Sequence, residues 1–240
     1  MIAWLDSDVL IFDPLVELGL PHGDDFTARR EWLPPAVLDE SSVYLDHWKF
    51  SCDVLGMKWD DVPWIPADGL DKPQRLMFNS GVFAFRRGLG FAEAFADCTE
   101  RLIRAGVAYG HGAYWHNEQH SLMFAMLRLG LRWRELPRSE NHMIFNAQID
   151  GEHAAPSCAE ARLVHYSHSM DAPYWPRFLA RLRRERPENL DWLAEHGPIE
   201  NERVPRHPYA LALKFSRNLR SRMQSKRSIR AVHEWKARQA

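Results

Sequence analysis

Short apolar runs along the chain predict several β-strands. The first run, Ile-Ala-Trp-Leu at 2–5, is followed by Asp-Ser-Asp and then by a second apolar stretch at 9–12. The segment LMFNSGVFAFRRG at 76–88 contains a longer apolar run, and 131–137 and 161–167 are also strand-like. Apolar runs of this length are typical of buried strands.

Apolar residues spaced three and four positions apart predict helices between these strands. One helix is expected over 91–106, a second over 117–130, and two short helices within 173–197. Residues 20–73 contain frequent Pro, Gly and Trp and little periodicity, so we expect an irregular segment with a functional role. Strands that alternate with helices indicate an α/β fold.

Cysteine usage and hydropathy favour a cytoplasmic protein. The three cysteines, Cys52, Cys98 and Cys158, are too few and too widely spaced to predict a disulfide framework, which indicates a reducing compartment. The first residues do not have the pattern of a signal peptide. No apolar stretch approaches the ~18 residues of a membrane-spanning helix.

Charge is distributed unevenly, although the formal net charge is only −1. Residues 203–240 carry eleven Lys or Arg and one acid, whereas the rest carries 20 bases and 31 acids. We therefore expect a main domain at 1–200 and a basic tail at 201–240. As an amphipathic helix, this tail would contact the inner face of an anionic membrane; a solvated or disordered tail is the alternative. Nucleic-acid binding is not expected, because the body is acidic.

The Asp6-Ser7-Asp8 segment is the first candidate for chemistry. Carboxylates at i and i+2 on an extended backbone point the same way and form a hard oxygen site suited to Mg²⁺ or Mn²⁺. A solvated strand end with two surface acids is the structural alternative. Among enzymes, haloacid-dehalogenase-type phosphatases and metal-dependent nucleotide-sugar transferases both use such acids. The phosphatases need a hydroxyl where this chain has Leu10.

Other polar residues interrupt the apolar pattern at places where a ligand or a structural feature would require them. Asn79, Ser80 and Gly81 lie inside an apolar strand, which indicates either a bulge or a close approach to a ligand. Asn117 opens a predicted helix as an N-cap candidate, and Glu118 and Gln119 follow it with groups that pair with sugar hydroxyls.

Two further polar sites follow predicted strands. Asn141 and His142 come just after one strand, and His165 lies at the end of another. A lone histidine at a strand end is more often a structural residue than a ligand.

In their order along the chain, these motifs resemble the glycosyltransferases of the GT-A fold, and most closely those of family 8. The matching segments are Asp6-Ser7-Asp8, Phe78 to Val82, Glu118-Gln119, Leu136-Pro137 with Asn141, and His165-Tyr166 with Pro173 to Trp175. Three positions depart from the family pattern. Glu118 replaces an Asp, His168 replaces a Gly, and Ala172 replaces the Lys that binds the diphosphate.

The resemblance implies a GT-A-like mixed sheet flanked by helices and a metal-dependent, retaining glycosyltransferase. Such an enzyme moves a sugar from a nucleotide-diphosphate donor to a glycan or lipid-linked acceptor. The implied roles are metal ligation of Mn²⁺ or Mg²⁺ by Asp6, Asp8 and His165, catalysis by Glu118 and Gln119, and substrate binding by Asn79, Ser80, Gly81 and Asn141.

The family fold also contains a nucleotide-binding half before the Asp-x-Asp strand. Its absence before Asp6 leads us to expect an N-terminally truncated fold, with an unpaired flank on the first strand. The alternatives to a transferase are a haloacid-dehalogenase-type phosphatase and a non-catalytic transferase remnant that acts as a binding module.

Overall fold

A computed structural model describes residues 1–31, 37, 39–66, 72–107, 117–152, 154–198 and 208–239. Two compact units are present. The first contains Met1–Arg29, Gly81–Phe85 and Arg134–Ala210, and the second contains Arg30–Ser80, Arg86–Trp133 and Leu211–Ala240. Most of the basic tail belongs to the second unit, and the expected domain boundary at residue 200 stays a prediction.

The described residues form a mixed α/β architecture, as the alternation of patterns predicted. The strands are β1 (Ile2–Leu5), β2 (Val9–Ile11), β3 (Phe26–Arg30), β4 (Trp64–Pro66), β5 (Pro73–Arg75), β6 (Phe78–Phe85), β7 (Trp133–Glu135), β8 (His142–Met143) and β9 (Leu163–His165). The helices are α1 (Leu45–Leu55), α2 (Phe91–Ala105), α3 (Asn117–Arg128), α4 (Trp175–Glu185), α5 (Leu190–His196) and α6 (Pro208–Gln239).

Within the described ranges, the strands form three sheets, with the orders β1-β6-β3-β7, β2-β9-β8 and β4-β5. The β1–β6, β2–β9 and β4–β5 pairs are antiparallel, whereas β8 and β9 run parallel. β1 lies at an edge of the four-stranded sheet. No helix among the described residues is long and apolar enough to cross a membrane.

The expectation of an irregular segment over 20–73 is wrong, because β3 and α1 both lie within it. The helical signal of α1 was present: Leu45, Trp48, Cys52 and Leu55 are buried at spacings of three and four residues. β3 has the sequence Phe-Thr-Ala-Arg-Arg, whose polar residues do not resemble a buried strand. Its first four residues are nevertheless buried, and the last is partly exposed. Its burial depends on strands from distant parts of the chain, which local patterns do not reveal.

The core of the first unit lies where α4 packs beside the β2-β9-β8 sheet. Trp175, Phe178 and Leu182 recur on one side of α4 and are buried in the same apolar cluster as Leu10 of β2 and Val164 of β9. Burying a large side chain of this kind contributes about 1.5–3 kcal/mol. This cluster therefore fixes β9, and with it His165.

The second unit has its own aromatic core around Trp48 of α1. The Trp48 ring centroid lies 4.3 Å from that of His120 and 6.0 Å from that of Phe124, both on α3. The Trp59 ring meets Trp48 edge-on at 5.7 Å. Trp48 has no exposed surface, so these contacts fix α1 against α3.

The imidazole of His142 makes the first unit sensitive to acid. Its burial lowers the His142 pKa from 6.5 to about 4, outweighing a hydrogen bond to the Pro156 carbonyl. Between pH 6.5 and about pH 4, His142 binds a proton in the unfolded chain but not in the folded chain. The free energy of unfolding is therefore highest above pH 6.5 and decreases as the pH falls below this value. From neutral to about pH 5 we expect a loss of about 2 kcal/mol from this group, measured by urea unfolding.

Substitution of this histidine isolates its contribution to acid sensitivity. The His142→Gln variant should lose less stability than the wild-type protein over the same pH interval. A matched His233→Gln variant alters an exposed histidine of α6 and should lose as much stability as the wild-type protein over this interval. Identical pH dependence in wild type and His142→Gln would contradict this account.

Candidate metal site

The Asp-Ser-Asp segment joins two sheets of the first unit. Asp6 directly follows β1, and its backbone N–H donates a hydrogen bond of 2.8 Å to the Gly81 carbonyl of β6. Asp8 directly precedes β2, and its carbonyl accepts a 3.0 Å hydrogen bond from the N–H of Tyr166. Backbone pairing on both sides therefore holds the two acids in place.

The β2–β9 register brings the distant histidine to the two acids. Val9 lies opposite His165, so Asp8 is one residue from the position that pairs with this histidine. One ligand atom from each of Asp6, Asp8 and His165 lies within 4.8 Å of the other two. In an octahedral site with bonds of ~2.1 Å, neighbouring ligands are ~3 Å apart. Small side-chain rotations would therefore suffice to enclose an ion.

The protonation state of Asp8 favours cation binding. Its Oδ2 atom lies 3.3 Å from Nε2 of His165. A hydrogen bond from this imidazole holds the pKa of the Asp8 carboxyl below its usual range, against the opposing effect of burial. Asp8 is therefore ionised at neutral pH, and an ionised carboxylate is the form that binds a metal.

The His165 imidazole is available on its other side. The residue is 7% exposed, and its Nδ1 atom is buried without a hydrogen-bond partner among the described residues. A buried nitrogen without a partner is unfavourable unless a ligand or water reaches it. Two carboxylates and one imidazole form a donor set that suits Mn²⁺ or Mg²⁺. The residues present therefore fit a divalent cation.

Trp4 is a neighbour of this site that sequence reasoning missed. Its indole Nε1–H donates a 2.8 Å hydrogen bond to Oδ1 of Asp6, and its ring stacks on Phe83 with centroids 6.2 Å apart. The signal was present in the sequence, since residues 4 and 6 lie two positions apart on an extended backbone and share a face. This contact holds one oxygen of Asp6 in a defined orientation.

The polar residues predicted for sugar binding on β6 have other partners. The Asn79 side chain donates a 3.0 Å hydrogen bond to Glu31 within the second unit. Gly81 accepts a hydrogen bond from the Asp6 N–H through its backbone carbonyl. Ser80 lies between Asn79 and Gly81 on β6. Asn141 is fully buried in the first unit, just before β8. Their roles in substrate binding stay predictions.

Glu118 and Gln119 lie in the first turn of α3, in the second unit, and both are partly buried. Asn117, considered as an N-cap, is the first residue of this helix, and its side-chain amide donates to the Val107 carbonyl at 2.8 Å. The catalytic roles of Glu118 and Gln119 stay predictions as well. The structure thus brings together the three predicted metal ligands, all within the first unit.

Comparison with known families identifies the class of protein. The family described as the Rhodobacterales glycosyltransferase domain matches residues 1–130, which is more than half of the chain. The chain therefore belongs to this glycosyltransferase family. No curated protein and no solved structure matches it. The matched region includes Asp6 and Asp8, whereas His165 lies beyond it.

Proposed function

We propose that this protein is a metal-dependent glycosyltransferase of GT-A type that transfers a sugar from a nucleotide-diphosphate donor to a glycan or lipid-linked acceptor. In this proposal Asp6, Asp8 and His165 hold Mn²⁺ or Mg²⁺. The single observation that carries it is the convergence of these three side chains, from segments about 160 residues apart, on one point of the first unit.

Family membership supports glycosyl transfer over the phosphatase alternative. The matched family is a glycosyltransferase domain, and its match covers both acids. The nucleotide-sugar donor and the retaining course rest on the resemblance to family 8. Asn79, Glu118 and Gln119 remain the residues proposed to orient and process the donor sugar.

Each residue of the site has a distinct task in this proposal. A bound cation would act as a Lewis acid that neutralises charge on the departing diphosphate. Before an ion binds, a hydrogen bond from His165 lowers the pKa of Asp8, and Trp4 fixes one oxygen of Asp6. Backbone pairing beside the two half-buried acids and the burial of His165 limit rearrangement of these ligands, which favours a preformed site.

Turnover of nucleotide sugars, with and without metal, tests the proposed function. We expect the purified protein to hydrolyse or transfer sugar from at least one member of a donor panel when Mn²⁺ is present. Removal of the metal by EDTA should abolish this turnover, and Mn²⁺ in excess should restore it. Turnover that is equally fast in EDTA would contradict the proposed metal dependence. Hydrolysis of phosphomonoesters in place of nucleotide sugars would favour the phosphatase.

A further inference from the structure

One side of α6 is fixed to the second unit. Ser228, Val232 and Trp235 are buried at spacings of four and three residues, so they lie on one stripe of the helix. The indole N–H of Trp235 donates a 3.0 Å hydrogen bond to Asp53 of α1. Its ring centroid also lies 5.8 Å from that of Phe50 on the same helix. This stripe therefore packs α6 against α1.

Polar contacts beside the buried stripe hold α6 in the same orientation against its neighbouring helices. Lys236 forms an ion pair with Asp46 of α1. Arg227 donates a 3.1 Å hydrogen bond to the carbonyl of Arg104, near the end of α2. Because contacts to two helices lie on the two sides of the stripe, the opposite side of α6 has a defined outward direction.

That opposite side mixes bases with exposed apolar residues. At 100° per residue it comprises a continuous surface, called here the basic face. Between residues 219 and 230 its members are Leu219, Arg222, Met223, Lys226, Ile229 and Arg230, all of them exposed. Its apolar members are more solvent-exposed than large apolar side chains usually are: Leu219 is 49% exposed, Met223 65% and Ile229 51%.

Charge complementarity indicates what the basic face binds. Over residues 208–239 the sequence has nine bases and one acid, Glu234. Bases at a helix surface attract anionic headgroups, while apolar side chains among them enter the boundary between headgroups and acyl chains. Nucleic acid would use the bases but leave Leu219, Met223 and Ile229 exposed to water. A second copy of this face would be repelled by like charge.

We propose that the basic face of α6 docks the protein onto the surface of an anionic phospholipid bilayer. The buried stripe packs α6 against the rest of the second unit, so docking of this helix brings the whole unit to the membrane. The bases supply long-range attraction, and the three apolar side chains supply burial at the surface. This interaction requires neither metal nor sugar donor, so it is independent of the proposed transferase reaction.

Vesicle binding by the 240-residue chain tests this docking surface. The two probes are vesicles of phosphatidylcholine alone and vesicles in which about a third of it is replaced by phosphatidylglycerol. We expect co-sedimentation with the anionic vesicles only, weakening as salt is raised. The Lys226→Glu/Arg230→Glu variant should bind them at least about 25-fold more weakly, since each base near such a surface contributes about a fivefold factor.

A matched variant separates the basic face from net charge. Lys58→Glu/Arg87→Glu makes the same charge change at exposed residues outside α6 and should reduce vesicle affinity by less than about threefold. The Leu219→Ser/Met223→Ser variant should also weaken binding, while circular dichroism shows unchanged helix content. Equal losses in the two charge variants, or no binding by the wild type, would overturn the proposal. Tighter binding to a DNA duplex than to the anionic vesicles would overturn it too.

Discussion

The Asp8→Asn variant should lose Mn²⁺ affinity by at least about a hundredfold. The substitution removes the negative charge and one of the proposed ligand atoms, yet keeps an oxygen that can accept the hydrogen bond from His165. Loss of residues that merely support metal ligands costs 10–100-fold in affinity, so loss of a ligand should cost at least as much. Isothermal titration calorimetry with Mn²⁺, in the presence and absence of a nucleoside diphosphate, provides the measurement.

A neighbouring acid provides the matched control for this experiment. Asp171 bonds to His168, and its charge also acts on Tyr166, but it lies outside the group of three ligands. Asp171→Asn should change Mn²⁺ affinity by less than about threefold, because it alters the nearby field but not the ligand set. Equal affinities for wild type and Asp8→Asn would remove Asp8 from the site.

The Arg181→Met variant should lose about 3–5 kcal/mol in the free energy of unfolding. Arg181 lies on α4 with only 3% of its surface exposed. Its guanidinium donates hydrogen bonds to the carbonyls of Gln148, Ile149, Ala155 and Pro156, and to the carboxylate of Glu185. Methionine fills a similar volume but leaves the four buried carbonyls without their donor, which is the costly way to lose a buried hydrogen bond. It also removes one of the two arginines that pair with Glu185.

Arg183 supplies the control within the same helix. It is exposed, and Arg183→Met should change the free energy of unfolding by no more than about 0.5 kcal/mol. Urea unfolding followed by far-ultraviolet circular dichroism compares both variants with the wild type. Similar losses for the two variants would show that the Arg181 hydrogen bonds do not stabilise the fold as described.

The acids of the candidate site could be found in the sequence because the signal is local. Asp6 and Asp8 are two residues apart directly after an apolar strand, which predicts two neighbouring carboxylates at the strand end. The structure turns the chain at Ser7 and Asp8 instead of extending it, so their convergence also depends on this turn. His165 was singled out at a strand end, and the resemblance to family 8 supplied its role. That it faces Asp8 depends on the pairing of Val9 with His165, a long-range register that no local pattern encodes.

Elements whose burial depends on distant partners were harder to predict. β3 carries two arginines and reads as polar, but Arg29 is buried in the sheet. Arg181 and Arg183 are the same residue type on the same helix, so the sequence does not distinguish them. Arg181 is a core residue because the carbonyls of Ile149 and Ala155 accept hydrogen bonds from it. By contrast, the apolar spacing of α2 and α3 sufficed to predict helices at the observed positions, because their periodicity is local.

Anomalous diffraction from crystals grown with Mn²⁺ and a nucleoside diphosphate tests the central claim most directly. We expect one manganese peak bonded to Asp6, Asp8 and His165 at about 2.1–2.3 Å, with diphosphate oxygens completing the coordination. The same experiment on Asp8→Asn should show no peak at this position. Manganese bound elsewhere in the wild-type protein, with no peak beside Asp6, Asp8 and His165, would contradict the assignment of these residues as the metal site.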